Sequence, residues 1–205
     1  MIEASLVKEL RDKTGAGMME CKRALVETGG NLEKAIDFLR KSGAARAAKK
    51  ATRAANDGVI TTYIHPGSRL GVLLEINCET DFVANTDIFK TFARDIAMHI
   101  AAASPVVIKR DEMPAELVDR EKAIYIEQAK GSGKPDDIAE KIVTGRLDKY
   151  FADSALLEQA FVKDPQKTVT QYLEEMITSL GENIVIARFV RFELGEPSPN
   201  GQAAD

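Results

Sequence analysis

Residues 70–85, LGVLLEINCETDFVAN, contain the clearest strand pattern of the chain, followed by an unusual loop. In the first nine residues every second side chain is apolar, and side chains at this spacing point to one face of a strand: Leu70, Val72, Leu74, Ile76 and Cys78. The pattern predicts a strand with one buried face. The residues that follow place Phe82 and Val83 where a loop is expected. An aromatic side chain in such a loop is either a local plug of the core or a group that binds a partner.

Two further segments complete a predicted antiparallel sheet. Residues 58–64, GVITTYI, alternate in the same way, and the turn sequence HPGSR at 65–69 joins them as a hairpin to the strand at 70–78. A third strand is predicted over residues 184–194, IVIARFVRFEL. After the second strand comes a helix with an apolar stripe: Phe89, Phe92, Ala93, Ile96 and Ile100. These elements predict the α+β fold class, with a small antiparallel sheet packed with helices in a core unit over residues 57–111.

The segment after the core unit predicts a projecting antiparallel coiled-coil hairpin over residues 112–163. Its two helices are joined by GSGKP, and charged residues surround a narrow apolar seam: Leu117, Ile124, Ile138 and Ile142. A final helix is predicted from near Asp164 to Leu180. Together with the third strand it is predicted to complete the core over residues 164–195. The tail, residues 196–205, is predicted to be disordered.

Residues 1–43 predict a small module of three short helices, with Asn31 as the N-cap of the third helix. Residues 44–56 predict a basic linker. Between Phe38 and the end of this linker there are six cations and no acids: Arg40, Lys41, Arg46, Lys49, Lys50 and Arg53. Such a run either binds nucleic-acid phosphates or keeps a linker solvated. No aromatic residue that could stack on bases follows Phe38 before Tyr63, which favours the linker.

The composition excludes several classes of protein. The chain has 205 residues, of which 44% are apolar and 29% charged, as in ordinary globular proteins. No apolar run approaches the roughly 18 residues of a membrane span. The N-terminal sequence MIEASLVKEL lacks the apolar core of a secretory signal, so a cytoplasmic location is expected. Cys21 and Cys78 lie in separate apolar patterns that predict reduced core residues. His65 and His99 have no Cys or His at ligand spacing, so no metal site is expected.

Sequence motifs for catalysis are missing. GSGKP resembles part of a phosphate-binding loop, but Gln128 and Pro135 stand where Gly and Ser or Thr are required. TGAGMM contains Gly-x-Gly without a preceding strand or a third glycine. We therefore expect a protein that acts by binding, with no enzyme chemistry and no cofactor. Two alternatives stay open: an RNA- or ribosome-binding module that uses Arg40 to Arg53, and a hydrolase that uses scattered acids.

Four segments closely resemble the bacterial elongation factor Ts family: SLVKELRDKTGAGMMECKRAL at 5–25, LRKSGAARAAKKA at 39–51, NCETDFVAN at 77–85 and RFVRFELGE at 188–196. They occur in the order found in the family, and the resemblance covers residues 1–196. It implies a guanine-nucleotide exchange factor for elongation factor Tu, the GTPase that delivers aminoacyl-tRNA. It also implies that the N-terminal module is like ubiquitin-associated domains. Membrane binding and direct nucleic-acid binding are not expected.

The resemblance also implies which residues contact the GTPase domain. One loop enters that domain beside its switch region and displaces Mg²⁺, and it matches Thr80, Asp81, Phe82 and Val83. The N-terminal module docks on another face of the same domain around Leu10, Arg11, Met18 and Met19. Longer family members carry two copies of the core unit, whereas this chain carries one and is similar to the short form. A homodimer, in which a second chain supplies the other copy, is therefore expected. Residues 164–195 are the expected dimerisation segment, with either the strand at 184–194 or the helix before it as the dimer surface.

Overall fold

The computed structural model describes residues 2–131 and 135–196 of the chain. These residues divide into two compact units: residues 2–98 with 170–196, called the sheet unit, and residues 99–131 with 135–169, called the hairpin unit. In chain order the helices and strands are α1 (Ala4–Thr14), α2 (Met18–Glu27), α3 (Leu32–Lys50), β1 (Asp57–Ile64), β2 (Leu70–Cys78), α4 (Asp81–Ala84), α5 (Asp87–Ala103), α6 (Ala115–Gly131), α7 (Asp136–Ser154), β3 (Ala160–Phe161), β4 (Asp164–Thr168), α8 (Val169–Leu180) and β5 (Val185–Glu193). This arrangement confirms the predicted α+β fold class.

The first three helices enclose a small apolar core. Its buried side chains are Val7, Leu10, Ala16, Cys21, Ala24, Leu25, Ala35 and Leu39. Gly15 ends α1 with a φ of 66°, which glycine adopts at little cost, and its N–H donates to the Arg11 carbonyl at 2.8 Å. The predicted cap of α3 is confirmed, because Asn31 Oδ1 accepts a hydrogen bond from the Lys34 N–H at 2.9 Å.

Helix α3 runs on to Lys50 and so includes much of the basic segment. The alanines of this segment favour a helix. Its Gly43 is buried. A Cβ at that position would lie 3.4 Å from Thr178 Oγ1 of α8, which is the short end of ordinary van der Waals distances, so α3 and α8 are close together here. Arg46 forms an ion pair with Glu20 of α2. The second half of α3 is therefore packed within the sheet unit and is not solvated on all sides.

The three-stranded sheet is antiparallel throughout, in the order β1-β2-β5. Tyr63 of β1 pairs with Val72 of β2, which pairs with Arg191 of β5. The predicted inward face of β2 is buried from its third residue onward: Val72, Leu74, Ile76 and Cys78. Helix α5 buries its predicted stripe, and the Phe92 ring meets Tyr172 of α8 edge-on with 5.0 Å between ring centroids. The predicted strands and the amphipathic helix are confirmed.

Helices α6 and α7 of the hairpin unit pack side by side, as predicted. Val143 is buried, and the guanidinium carbon of Arg146 lies 5.8 Å from the ring centroid of Tyr125. This cation–π contact is worth about 0.5–1 kcal/mol at an exposed site. The predicted GSGKP connection includes residues 132–134, which lie outside the described residues.

The predicted start of the last helix near Asp164 is wrong. Helix α8 begins at Val169, and the five residues before it form β4, which pairs antiparallel with β3. Pro165 lies in this strand without an N–H to donate, which is tolerated because both strands of a two-stranded sheet are edges. Disorder is predicted for residues 196–205. Of these, residues 197–205 lie outside the described residues.

Buried His99 fixes the turn between β3 and β4. Its Nδ1 accepts a hydrogen bond from the Val162 N–H at 3.2 Å, and its Nε2 lies 2.9 Å from Gln159 Oε1. Because Nδ1 accepts, Nε2 carries the proton and the ring is neutral. Burial lowers the pKa of His99, since a charged imidazolium would lose its hydration.

Candidate partner-binding site

Residues 79–83, which follow β2 and include the first residues of α4, are called the 79–83 loop and present an aromatic side chain to solvent. Thr80 has an extended backbone with φ −135° and ψ 154°, and its Oγ1 accepts a hydrogen bond from the Val83 N–H at 3.4 Å. This bond caps the single helical turn α4. Ala84 on the inner side of the turn is buried, whereas 82% of Phe82 is exposed. Phe82 is therefore not a local plug of the core.

Glu182, which follows α8, binds the backbone of this loop. One carboxylate oxygen accepts hydrogen bonds from the Glu79 N–H at 3.0 Å and the Thr80 N–H at 3.1 Å. The other accepts from Thr80 Oγ1 at 2.6 Å. Hydrogen bonds to a carboxylate are shorter and stronger than those between neutral groups. The loop is thus attached to a segment 102 residues further along the chain.

A second carboxylate makes the reciprocal contact. Glu79 Oε1 accepts a hydrogen bond from the Asn183 N–H at 2.7 Å, and Arg53 Nη1 lies 3.4 Å from the same oxygen. The Asn183 N–H, and after it Arg53, lowers the pKa of the Glu79 carboxyl. The Asn183 side chain donates to the Arg53 carbonyl at 2.8 Å. The loop, the segment after α8 and the segment after α3 therefore share one polar network.

Cys78 lies at the base of the loop and is buried. Its Sγ donates to the Thr80 carbonyl at 3.2 Å, and burial raises the pKa of the thiol, with the nearby Glu182 carboxylate acting in the same direction. A thiol with a raised pKa stays protonated and is a poor nucleophile. Cys78 is therefore a structural residue of the site.

The other predicted contact residues lie in the three-helix module. Arg11 is exposed, 47% of Met18 and 73% of Met19 are exposed, and both methionines begin α2. Leu10 has no exposed surface and belongs to the module core. Arg11, Met18 and Met19 are therefore exposed, whereas Leu10 is enclosed in the module core.

Four residues hold the loop: Arg53, Glu79, Glu182 and Asn183. The sequence marks Arg53 only as one of the cations of the basic segment, and it does not distinguish the other three from ordinary surface residues. Asn183 is buried between α8 and β5, and a buried amide needs hydrogen-bond partners, but its burial is visible only in the folded chain. Its neighbour Glu182 resembles any glutamate at the surface of a helix end. Its contact with the loop becomes visible only in the folded chain.

Two kinds of site are not found in the part of the chain that the structure describes. Residues 2–131 and 135–196 hold no cluster of three or more His, Cys, Asp or Glu side chains arranged to bind a metal ion. No helix within the same residues is long and apolar enough to cross a bilayer.

The fold and the site define an α+β protein that presents an exposed aromatic residue on a loop held by two carboxylates. The protein family described as Elongation factor TS matches residues 6–196. Elongation factor Ts of Geobacter sp. strain M21 is 60% identical over 195 residues, which cover 95% of this chain and 90% of the relative. Elongation factor Ts of Thermoanaerobacter sp. strain X514 is 56% identical over 196 residues, covering 96% of each chain. The chain belongs to the elongation factor Ts family.

These relatives are close to this chain in length, which agrees with the predicted short form. Membership of the family implies a nucleotide-exchange factor of translation elongation.

Proposed function

We propose that this protein is a guanine-nucleotide exchange factor that binds elongation factor Tu with GDP and promotes GDP release so that GTP can bind. The observation that carries the proposal is the exposure of Phe82, 82%, on a backbone held by two carboxylates. An isolated domain gains nothing from a large apolar side chain held in water. The same side chain becomes favourable when a partner buries it.

Exchange requires binding and no bond chemistry. The factor must bind the nucleotide-free GTPase more tightly than the GDP-bound form. Linkage then requires that the bound factor lowers the affinity of the GTPase for GDP by the same ratio. A GTPase holds GDP through backbone N–H groups around the phosphates and through Mg²⁺. A group that enters beside these ligands and repacks a two-state interface can therefore release both.

The residues of the 79–83 loop take separate roles in this proposal. Phe82 is the anchor that enters the GTPase domain beside its switch region. Asp81, exposed at the first position of α4, carries a charge to the partner surface near the Mg²⁺ site, from which Mg²⁺ is displaced. Val83 is half-buried and donates its N–H to Thr80 Oγ1, which fixes the helical turn that bears Phe82.

The three-helix module supplies the second contact with the GTPase domain. Met18 and Met19 form its apolar centre, because methionine side chains adapt their shape to a partner. Arg11 adds an exposed charge. Leu10, which is buried, supports this surface from the core of the module.

We further propose that two copies of the chain associate as a homodimer through the outer face of the sheet. Leu73 of β2 faces away from the buried side, and its cross-strand neighbour on β5 is Val190. The exposed apolar residues of this face are Ile60, Ile64, Leu73, Val190 and Phe192. Apolar patches of this kind mark interfaces between chains. The same patch on two copies gives a closed, two-fold contact.

The exchange proposal is tested by following release of a fluorescent GDP from purified elongation factor Tu. A small amount of this protein, below the concentration of the GTPase, should accelerate release over many turnovers when excess GDP is added. Failure to accelerate release would overturn the proposal. A GTP-hydrolysis assay with this protein alone, which should show no turnover, tests the absence of bond chemistry.

The displacement of Mg²⁺ is tested by repeating the release experiment after chelation of Mg²⁺. If the factor acts by removing Mg²⁺, chelation speeds spontaneous release and reduces the ratio by which the factor accelerates it. An unchanged ratio would show that the factor acts on other contacts of GDP.

The dimer is tested by sedimentation of the wild-type chain and of Phe192→Glu, with Val162→Glu as a control in the hairpin unit. The wild-type chain and the control should sediment at twice the monomer mass. Phe192→Glu should weaken association by at least about thirtyfold, because burial of a charge replaces burial of an aromatic ring. Association unchanged by Phe192→Glu would place the interface elsewhere.

A further inference from the structure

The segment Gly181–Asn183 follows α8, and two of its residues, Glu182 and Asn183, form hydrogen bonds with the 79–83 loop. Gly181 has a φ of 78°, and its N–H donates to the Ile177 carbonyl at 3.1 Å. A residue with a side chain would be strained in this left-handed conformation. The Gly181 carbonyl accepts a hydrogen bond from Lys50 Nζ at the end of α3. The start of the segment is therefore held by two hydrogen bonds that do not involve the loop, one to α8 and one to the end of α3.

Glu182 satisfies the backbone where β2 ends and α4 has not yet begun. The Glu79 and Thr80 N–H groups lie beyond the strand pairs of β2, so they need another acceptor. The Glu182 carboxylate accepts both of them and the Thr80 hydroxyl as well. A carboxylate can accept from all three at once because it has two oxygens and no proton to place.

The Thr80 hydroxyl carries this contact on to the turn that bears Phe82. It donates to Glu182 at 2.6 Å and accepts from the Val83 N–H at 3.4 Å. With the hydroxyl proton directed to the carboxylate, its lone pairs face the first turn of α4. Glu182 thus orients the backbone N–H groups of Glu79 and Thr80, and it also orients the Thr80 hydroxyl that caps α4.

We propose that Glu182 is a positioning residue for nucleotide exchange, which holds the 79–83 loop in the conformation that presents Phe82. The proposal rests on the proposed function of the loop. Its physical basis is preorganisation: a loop already ordered in the free protein loses less conformational entropy when it enters the partner. Glu182 itself needs no contact with the partner.

This role predicts a particular change in the concentration dependence of GDP release. The three-helix module still binds the GDP-bound partner, so the half-saturating concentration should change little. Entry of Phe82 is penalised, so the maximal release rate at saturating factor should fall. A variant that merely unfolds in part would behave differently, because fewer active molecules shift the curve along the concentration axis and leave the plateau unchanged.

The test compares the wild-type chain with Glu182→Gln, Glu182→Ala and the control Glu127→Gln, which makes the same chemical change at an exposed position of α6. Glu182→Gln keeps one acceptor oxygen for the two N–H groups but offers an NH₂ to the Thr80 hydroxyl. We expect its plateau to fall roughly five- to tenfold, which corresponds to the loss of about one hydrogen bond of ordinary strength. Glu182→Ala should lower the plateau further, and Glu127→Gln should match the wild type.

A second readout does not depend on exchange activity. Hydrogen exchange of the Glu79 and Thr80 amides, followed by NMR on the full chain, reports whether Glu182 holds the loop. Protection of both amides should fall in Glu182→Ala while the amides of the central strand β2 keep theirs. Retained protection in this variant would overturn the proposal that Glu182 holds the loop.

The combined outcomes separate this proposal from the exchange function itself. A wild-type plateau in Glu182→Ala, together with lost amide protection, would overturn the positioning role although exchange stands. No acceleration by the wild-type chain would overturn the exchange function and the part of this proposal that concerns it. The amide data alone would then decide whether Glu182 orders the loop.

Discussion

The 79–83 loop and the start of α2 both expose apolar side chains, but the chain builds them differently. Phe82 lies on a backbone bound by a carboxylate 102 residues further along the chain. Met18 and Met19 begin α2 behind Gly17, and no side chain caps that end of the helix. The loop is held by long-range polar contacts, whereas the methionine pair depends on its own helix.

This difference indicates how the two surfaces bind. An aromatic side chain on an ordered loop can repack a partner because the loop keeps its conformation while the side chains of the partner rearrange. Methionine side chains have three rotatable bonds and fill whatever shape they meet. We therefore expect the loop to determine the rate of nucleotide release, and the α2 surface to determine affinity.

The largest effect is expected from Phe82→Ala, which tests the rigid side of this comparison. Truncation of a buried interface aromatic commonly costs about 2 kcal/mol or more, so maximal GDP release should fall at least about thirtyfold. The free energy of unfolding should not change, because 82% of this side chain is exposed. GDP release and urea unfolding measure the two quantities.

Val162→Ala is the matched control, since it truncates another exposed apolar residue in the hairpin unit. It should leave GDP release unchanged. Wild-type release by folded Phe82→Ala would remove the anchor from Phe82 and direct attention to Asp81 or to the methionine pair.

The adaptable side of the comparison is tested by the double variant Met18→Ala and Met19→Ala. Alanine is a good helix former, so α2 should persist. We expect the half-saturating concentration for GDP release to rise about fivefold, as for a contact outside the central hot spot, with the plateau unchanged. Val26→Ala, at the other end of α2 and also exposed, is the control. A lowered plateau in the double variant would break the division between rate and affinity.

The sequence predicts the sheet unit well because its signals are local. The alternation in β2 follows from one buried face, and Asn31 caps α3 as its position before an apolar stripe indicates. The β3–β4 hairpin is missed for a physical reason. Asp164 followed by Pro165 is also a typical start of a helix, and Asp164–Thr168 is too short and too polar to show strand alternation. Pairing with β3 and the contact with His99 decide the outcome.

The candidate site is predictable only in part. Its loop stands out because an apolar pair follows a strand, yet a buried plug and an exposed anchor have the same sequence pattern. The loop that bears Phe82 is hydrogen-bonded to Glu182 and Asn183, and these contacts cross more than a hundred residues. The reverse holds for Leu10, which lies in the same segment as Arg11 but is turned into the core by the helix period.

A smaller effect is expected from the cations of α3, which lie along the sequence between the two surfaces. Neutralisation by Arg40→Gln, Lys41→Gln and Lys49→Gln should leave GDP release within about twofold of the wild type at physiological salt, where exposed charges are screened. The wild-type chain should not bind a single-stranded RNA when binding is measured by fluorescence anisotropy. Binding that falls steeply with salt, and is lost in the triple variant, would support the nucleic-acid alternative.

The smallest effect on exchange is expected from mild acid, which acts on a residue outside both surfaces. Burial lowers the pKa of His99 below its unfolded value, so the unfolded chain binds more protons as the pH falls through that value. The contribution of neutral His99 to stability is therefore full above a pH of about 6.5 and is lost progressively below it. Protonation would also place an Nδ1–H opposite the Val162 N–H.

Urea unfolding at pH 7.5 and pH 5.5 should show this loss, and hydrogen exchange should place it in peptides of residues 99–169. His99→Asn can keep an acceptor for the Val162 N–H while it removes the titrating ring, so its acid sensitivity should be smaller. His65→Asn, which changes the exposed histidine beside Tyr63, should retain the wild-type sensitivity. An equal loss of protection at Glu79 and Thr80 would show that acid reaches the loop as well. The loop would then not be held independently of the hairpin unit, because its supports, Glu182 and Asn183, belong to the sheet unit.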